Sequence, residues 1–226
     1  MISSKEFAKV WLKPITFWLL AAPAIWLAYQ WIALINGWPS RLDPFNPIQT
    51  THHFLGETAI RVLLVTLAVT PVRDWTGWAP IMRVRRRIGL AAFFYAVMHL
   101  AVYFWLDLGL SLAGLWEDVV ERTYITFGML ALAGLVPLAI TSHNWMIKTL
   151  GAVNWQRLHW LVYPIAMLAV THHFFAEKGA QPGPWVHATI LAVLLGWRVA
   201  KTVGVAKPRA KKRKQAPGAT REASNA

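Results

Sequence analysis

What most restricts this chain is a set of apolar runs, each about 20 residues long, that follow one another with short polar breaks. Residues 14–35 contain no charged side chain, and further runs cover 52–70, 88–106, 124–140, 157–176 and 185–205. At about 1.5 Å of rise per residue, such a run can cross a hydrocarbon core of about 30 Å. In that core backbone amides have no water to bind, and a lone segment satisfies them only as a helix. The expected fold is therefore all-α and integral to the membrane: a bundle of six transmembrane helices occupying 14–205. Residues 1–13 form a cytoplasmic N-terminal segment and 206–226 a basic, disordered cytoplasmic tail. A cleavable leader is not expected, because the first run exceeds an h-region of about 7–15 residues and no small-residue cleavage site follows it.

Two features of composition narrow the chemistry. Cysteine is absent, which excludes disulfides, iron–sulfur clusters, thioether-linked haem and Cys-ligated zinc, and leaves metal binding to histidine or oxygen. The net charge of +13 would suggest nucleic acid in a soluble chain, but here it follows topology. Six spans with both termini on one side put nineteen of the 23 Lys and Arg residues at the N-terminus, the second and fourth loops and the C-terminal end. The loop at 107–122 holds Asp107, Glu117, Asp118 and Glu121. By the positive-inside rule both termini are cytoplasmic, and the acidic loop lies outside.

Histidine positions give the functional signal. The stretch 157–175, RLHWLVYPIAMLAVTHHFF, carries His159 near one end and His172 and His173 near the other, and as one helix it would separate His159 from His172 by roughly 20 Å. His99 lies 12 residues beyond Arg87, roughly 18 Å into the third span. Span five also runs outward, so His99 and His172 share an outer depth and are candidate axial ligands of one b-type haem, for which neutral imidazole is well suited. Helical periodicity alone favours His173, about 40° from His159 around an ideal helix against about 140° for His172, and His173 stays open as an alternative. Near His159 the third span offers Arg86 in place of a second histidine, which suits an anionic group such as a flavin phosphate better than a bis-histidine haem.

In span two, His53, Glu57 and Arg61 fall on one stripe at i, i+4 and i+8. Such groups are expected to face the bundle interior or a polar cavity, as a packing ion pair or beside a haem propionate or quinol. His143 and His187 stand at span ends, where an interfacial histidine needs no further role. No G-x-G-x-x-G follows a strand, so the chain is not expected to take hydride from a nicotinamide cofactor by itself.

RVRRRIGL followed by His99, the pair Thr141–Ser142, and LGAVNWQRLHW with a histidine 13 residues after His159 together resemble the MsrQ (YedZ) family over about residues 10–205. That resemblance implies a ferric-reductase-like six-helix domain of the bacterial inner membrane that binds haem b and FMN. It implies an electron-transfer subunit of an oxidoreductase complex, distinct from its catalytic subunit. Electrons would come from a cytoplasmic flavin reductase or quinol and pass to a periplasmic molybdopterin methionine-sulfoxide reductase that repairs oxidised proteins. His99, His159 and His172 match the family's histidines, and Arg85 and Arg86 its arginines, which look like FMN-phosphate contacts. The competing readings are a quinol-oxidising cytochrome b of another pathway, and a transporter or scaffold in which the histidines only pack.

Overall fold

A computed structural model describes residues 10–179 and 181–204. Most of the expected N-terminal segment and the whole expected basic tail lie outside the described residues. Within them every regular element is helical.

Helix α1 (Leu12–Ile35) is apolar on all sides and exposes Trp18 and Leu19, as a lipid-facing helix does. Pro23 interrupts it, and Tyr95 crosses at that level. The Tyr95 hydroxyl donates to Leu20 O at 2.6 Å and accepts from Ala24 N at 3.2 Å, so a neighbouring side chain supports the backbone beside the proline.

Helix α2 (Pro47–Thr76) is capped by Asn46, whose side chain accepts from Gln49 N, with Pro47 at N1, where a missing N–H costs nothing. It runs past both expected ends of its span. The run was expected to end at residue 70, but the helix continues through Pro71 to Thr76 and stops only at Gly77, whose φ of 71° places it in the left-handed region. α2 is the central helix: 56% of its apolar window is buried, against 17–22% for the other three long apolar helices.

A 3₁₀ turn (Ala79–Arg83) leads into α3 (Arg85–Val102), which ends in a π-helical turn (Tyr103–Asp107). The acidic loop contains an amphipathic helix, α4 (Leu112–Glu121), capped by Ser111 and exposing Leu112, Trp116 and Val120. α5 (Thr123–Ile140) follows. Helices α1, α2, α3 with its π turn, and α5 are long and apolar enough to cross a membrane.

The last two runs take other forms. The stretch expected as one helix over 157–175 is broken after α7 (Ala152–His159), and α8 (Val162–Ala176) starts anew beyond a turn at 160–161. Pro164 explains the position of the break. Its ring would collide with the carbonyl four residues back, that of Trp160, which instead accepts from Tyr163 N at 3.1 Å. A short helix, α6 (Asn144–Leu150), precedes α7. α9 (Pro182–Thr202) is 21 residues long and carries Arg198 and Lys201 in its last turns.

α2 packs along α3, α5 along α8, and α9 touches both α8 and α2. Ile60, Leu63, Leu64 and Leu67 of α2 meet Leu135 and Leu138 of α5, Ile165 and Val170 of α8, and Leu191 and Leu194 of α9 in one core. In lipid such contacts stabilise through close van der Waals fit. Gly134 supplies one such approach, since a Cβ there would stand 2.8 Å from Ile165. At the basic end Asp74, its side chain 7% exposed, binds Arg73 with Oδ1 and Lys201 with Oδ2 at 2.5 Å, tying the ends of α2 and α9 together.

Candidate cofactor sites

Two cavities lie between α2, α3, α5 and α8, one toward each end of the bundle. At the acidic end, His99 of α3 and His172 of α8 face each other with ring centroids 6.2 Å apart and planes at 79°. Each ring is fixed through Nδ1 by the backbone of another helix. His99 Nδ1 donates to His52 O at 2.9 Å, and His172 Nδ1 donates to Tyr124 O at 2.6 Å. Donation from Nδ1 leaves Nε2 with its lone pair, the tautomer a metal needs, and this use of the second nitrogen is the usual way to orient a ligating imidazole.

The spacing fits a shared metal ion. With a metal–nitrogen bond of about 2 Å and a ring radius of about 1.1 Å, two imidazoles would stand about 6 Å apart, centroid to centroid, if held on opposite sides of one ion. The cavity they line, about 190 Å³, is otherwise largely apolar, with Ala96, Ile125, Leu132 and Leu135 in its wall. Bis-imidazole haem is the group that suits this donor set.

Two glycines make room for the rings. A Cβ on Gly56 would lie 2.9 Å from the His99 imidazole, and one on Gly128 would lie 2.8 Å from that of His172. Neither glycine stands out in the sequence. Their only signal was a small residue within an apolar helix, which marks close approach without saying of what. His52, the first residue of the second apolar run, stacks on His99 at 3.9 Å with planes 21° apart.

His173 points elsewhere. Its ring lies 5.1 Å from that of His187, and its Nε2 is buried without a partner, as is His187 Nδ1. His187 was expected at a span end with no further role; it is 4% exposed and sits inside the bundle. The His53, Glu57 and Arg61 stripe is only partly enclosed. His53 Nδ1 meets Glu177 Oε1 at 2.9 Å and Glu57 pairs with Arg61, whose side chain is 57% exposed. Glu57, His53 and His173 reach the edge of the acidic-end cavity, while Arg61 does not line it. His143 precedes α6 and is exposed.

At the basic end, a cavity of about 320 Å³ is lined by His159, Arg85, Arg86, Arg198, Tyr163 and Trp155 among others, a volume typical of small-molecule sites. His159 Nδ1 donates to Trp155 O at 3.0 Å, its ring stacks on Trp155 at 3.8 Å, and its Nε2 is buried and unpartnered. Here too the tautomer leaves Nε2 free to take a metal or a hydrogen bond. Arg86 donates to Ser142 O at 3.1 Å and to Asn144 Oδ1, which fastens α3 to the start of α6. No aspartate or glutamate lines this cavity.

A membrane bundle with paired imidazoles on facing helices is the arrangement of a cofactor-holding helical domain. Residues 55–170 match the family "Ferric reductase like transmembrane component". The protein-methionine-sulfoxide reductase heme-binding subunit MsrQ of Xanthomonas campestris pv. campestris (strain 8004) is 49% identical over 156 residues, covering 69% of this chain and 71% of the relative. The subunit of the same name from Brucella ovis is 43% identical over 188 residues, 81% of each chain, and that from Brucella suis matches to the same extent. The chain belongs to the MsrQ family of ferric-reductase-like membrane proteins.

Proposed function

We propose that this chain is the haem-binding, electron-transferring membrane subunit of a methionine-sulfoxide reductase system. The observation that carries the reading is the facing pair His99 and His172, each held by Nδ1 to another helix's backbone with Nε2 free. His172, not His173, is the ligand in this reading, because His173 turns toward α9. Haem b bound there supplies one-electron redox chemistry, and the protein sets its depth, orientation and potential. Gly56 and Gly128 admit the imidazoles, and the apolar wall excludes water.

The basic-end cavity is the entry site, with His159 and Arg85 as its binding residues, Arg86 lining it with its guanidinium engaged by Ser142 and Asn144, and FMN as the cofactor whose phosphate suits guanidinium donors. Electrons come from a cytoplasmic flavin reductase or from quinol and leave toward a periplasmic molybdopterin methionine-sulfoxide reductase. The chain crosses the bacterial inner membrane six times, with both termini in the cytoplasm. The described basic end supports this orientation: it holds Lys13, Arg73, Arg83, Arg85, Arg86, Arg87, Lys148, Arg157, Arg198 and Lys201 against one carboxylate, Asp74. Because the chain lacks cysteine, single Cys substitutions at Lys148 and Glu117 can be labelled in intact cells. Glu117→Cys should react with an impermeant maleimide and Lys148→Cys should not; the reverse pattern overturns the orientation.

The test of the redox reading is an absorption spectrum of the detergent-purified protein before and after dithionite. A Soret band that sharpens and shifts, with a reduced α band, is expected; neither band would leave the chain a scaffold or transporter. A second reading, direct quinol oxidation, is favoured by one observation. Glu57 and two unpartnered histidine nitrogens, on His173 and His187, lie beside the acidic-end cavity where protons from a quinol can be accepted. Reduction of the haem by a soluble quinol without flavoprotein, lost in Glu57→Gln, distinguishes it.

A further inference from the structure

Arg86 and Arg85 are neighbours in sequence but not equals in the structure. Arg86 spends its guanidinium on Ser142 and Asn144, whereas among the described residues no hydrogen-bond or carboxylate partner occupies Arg85. A second guanidinium reaches the same cavity from the far end of the chain: Arg198, in the last turns of α9. It lies 5.3 Å from the centroid of the Tyr163 ring, which holds it by a cation–π contact, and its Nη2 is buried and unpartnered. The height of Arg198 is fixed by Lys201, one turn further on, through its 2.5 Å bond to Asp74.

Two guanidiniums in a largely apolar cavity need a counter-charge, since burying unpaired like charges is costly. Asp74 cannot supply it, because both its oxygens are taken, by Arg73 and Lys201. It is also the only carboxylate at this end among the described residues. Among the described residues nothing supplies the counter-charge, and an anionic ligand is the candidate for it. Around it stand Tyr163, Trp155 and the His159 ring, surfaces that suit a flat aromatic body.

We infer that Arg85 and Arg198 together form an anion site in the basic-end cavity for the doubly negative end of a flat aromatic cofactor, and that Arg198 is a binding residue for it. This rests on the reading of that cavity as a cofactor site and puts Arg198, in place of the Arg86 that the family resemblance implies, as the second phosphate-type contact. The same chemistry is offered by the phosphate monoester of FMN and by the two carboxylates of a haem. Arg86 acts on the site only by holding α3 against the 142–144 turn.

Each source has a neutral partner for comparison. Full-length protein, Arg198→Gln, Arg198→Lys, Arg85→Gln and Arg86→Gln are purified in detergent, stripped at the basic-end site and titrated with FMN against riboflavin, and with haem against its dimethyl ester. The absorption band of the acidic-end haem reports folding in every sample. The wild type is expected to prefer the charged member of one pair by tenfold or more, the scale of a charge-assisted hydrogen bond. Whichever pair shows the preference identifies the source. Arg198→Gln and Arg85→Gln should remove most of it, Arg198→Lys should restore part as a point charge without the fork, and Arg86→Gln should keep it. A wild-type preference that survives Arg198→Gln overturns the inference while leaving the cofactor reading intact. No binding of any of the four compounds by wild type overturns both. If Arg198→Gln also loses the acidic-end band, Arg198→Lys decides: a preference reduced from wild type but still present argues for the site, and one equal to wild type argues against it.

Discussion

The two cavities share α2, α3, α5 and α8, and the difference between them lies in what each of these contributes at each depth and in what α7 and α9 add at the basic end. At the acidic end α3 and α8 each give a histidine, and α2 and α5 each give the glycine that lets it approach. At the basic end α7 gives His159, α3 gives Arg85, and α9 reaches in with Arg198. The first cavity offers two facing imidazoles, the pair proposed to hold a metal; the second has one imidazole and guanidiniums with no carboxylate in its lining. An electron path running from the second to the first would pass from an anion-recognising site to a metal-ligating one. The broken connection at 160–161 lets α7 and α8 point their histidines independently.

The largest effect expected at the acidic end comes from its ligands. His99→Ala or His172→Ala should each remove nearly all of the low-spin bis-imidazole spectrum, while His173→Ala should leave it; loss in His173→Ala with retention in His172→Ala would reverse the assignment. His159→Ala is expected to abolish cofactor retention at the basic end and to keep the acidic-end spectrum, so a pyridine haemochrome assay with FMN fluorescence per polypeptide shows whether the cavities are independent. Gly128→Val comes next. Its side chain must push His172 aside, and overpacking of this kind costs about 1–3 kcal/mol, so bound haem should fall several-fold with the helical circular dichroism unchanged. Haem at wild-type occupancy in that variant would mean that the ring position is not fixed as described. The smallest change is expected from Arg86→Gln, which loses hydrogen bonds worth about 1–3 kcal/mol and should lower the thermal midpoint by a few degrees with less than a twofold change in cofactor content.

Much of the candidate site's geometry was legible from spacing. The 12-residue step from Arg87 to His99 and the 13-residue step from His159 to His172 placed His99 and His172 at one depth, and they meet at 6.2 Å. That works because an apolar run in lipid has one available conformation, so residue number converts directly to depth. Azimuth does not convert so simply. Periodicity pointed to His173, and the break ahead of Pro164 removed the continuous helix on which that count relied. His187 and His52 were passed over because an interfacial position in sequence carries no information about which neighbour covers it.

Within the described residues, then, the amino-acid sequence by itself determined that the chain is helical, how long the apolar segments are, which end is basic, and which histidines share a level. Those properties follow from local composition and the rise of the helix. Only the tertiary structure decided that Gly56 and Gly128 are the seats of His99 and His172, that Arg86 is a fastener, and that Arg198 joins Arg85 across 113 residues of chain. Each of these depends on which face of one helix meets which face of another. That choice is made by packing, among faces that are almost uniformly apolar and so carry little pattern to read.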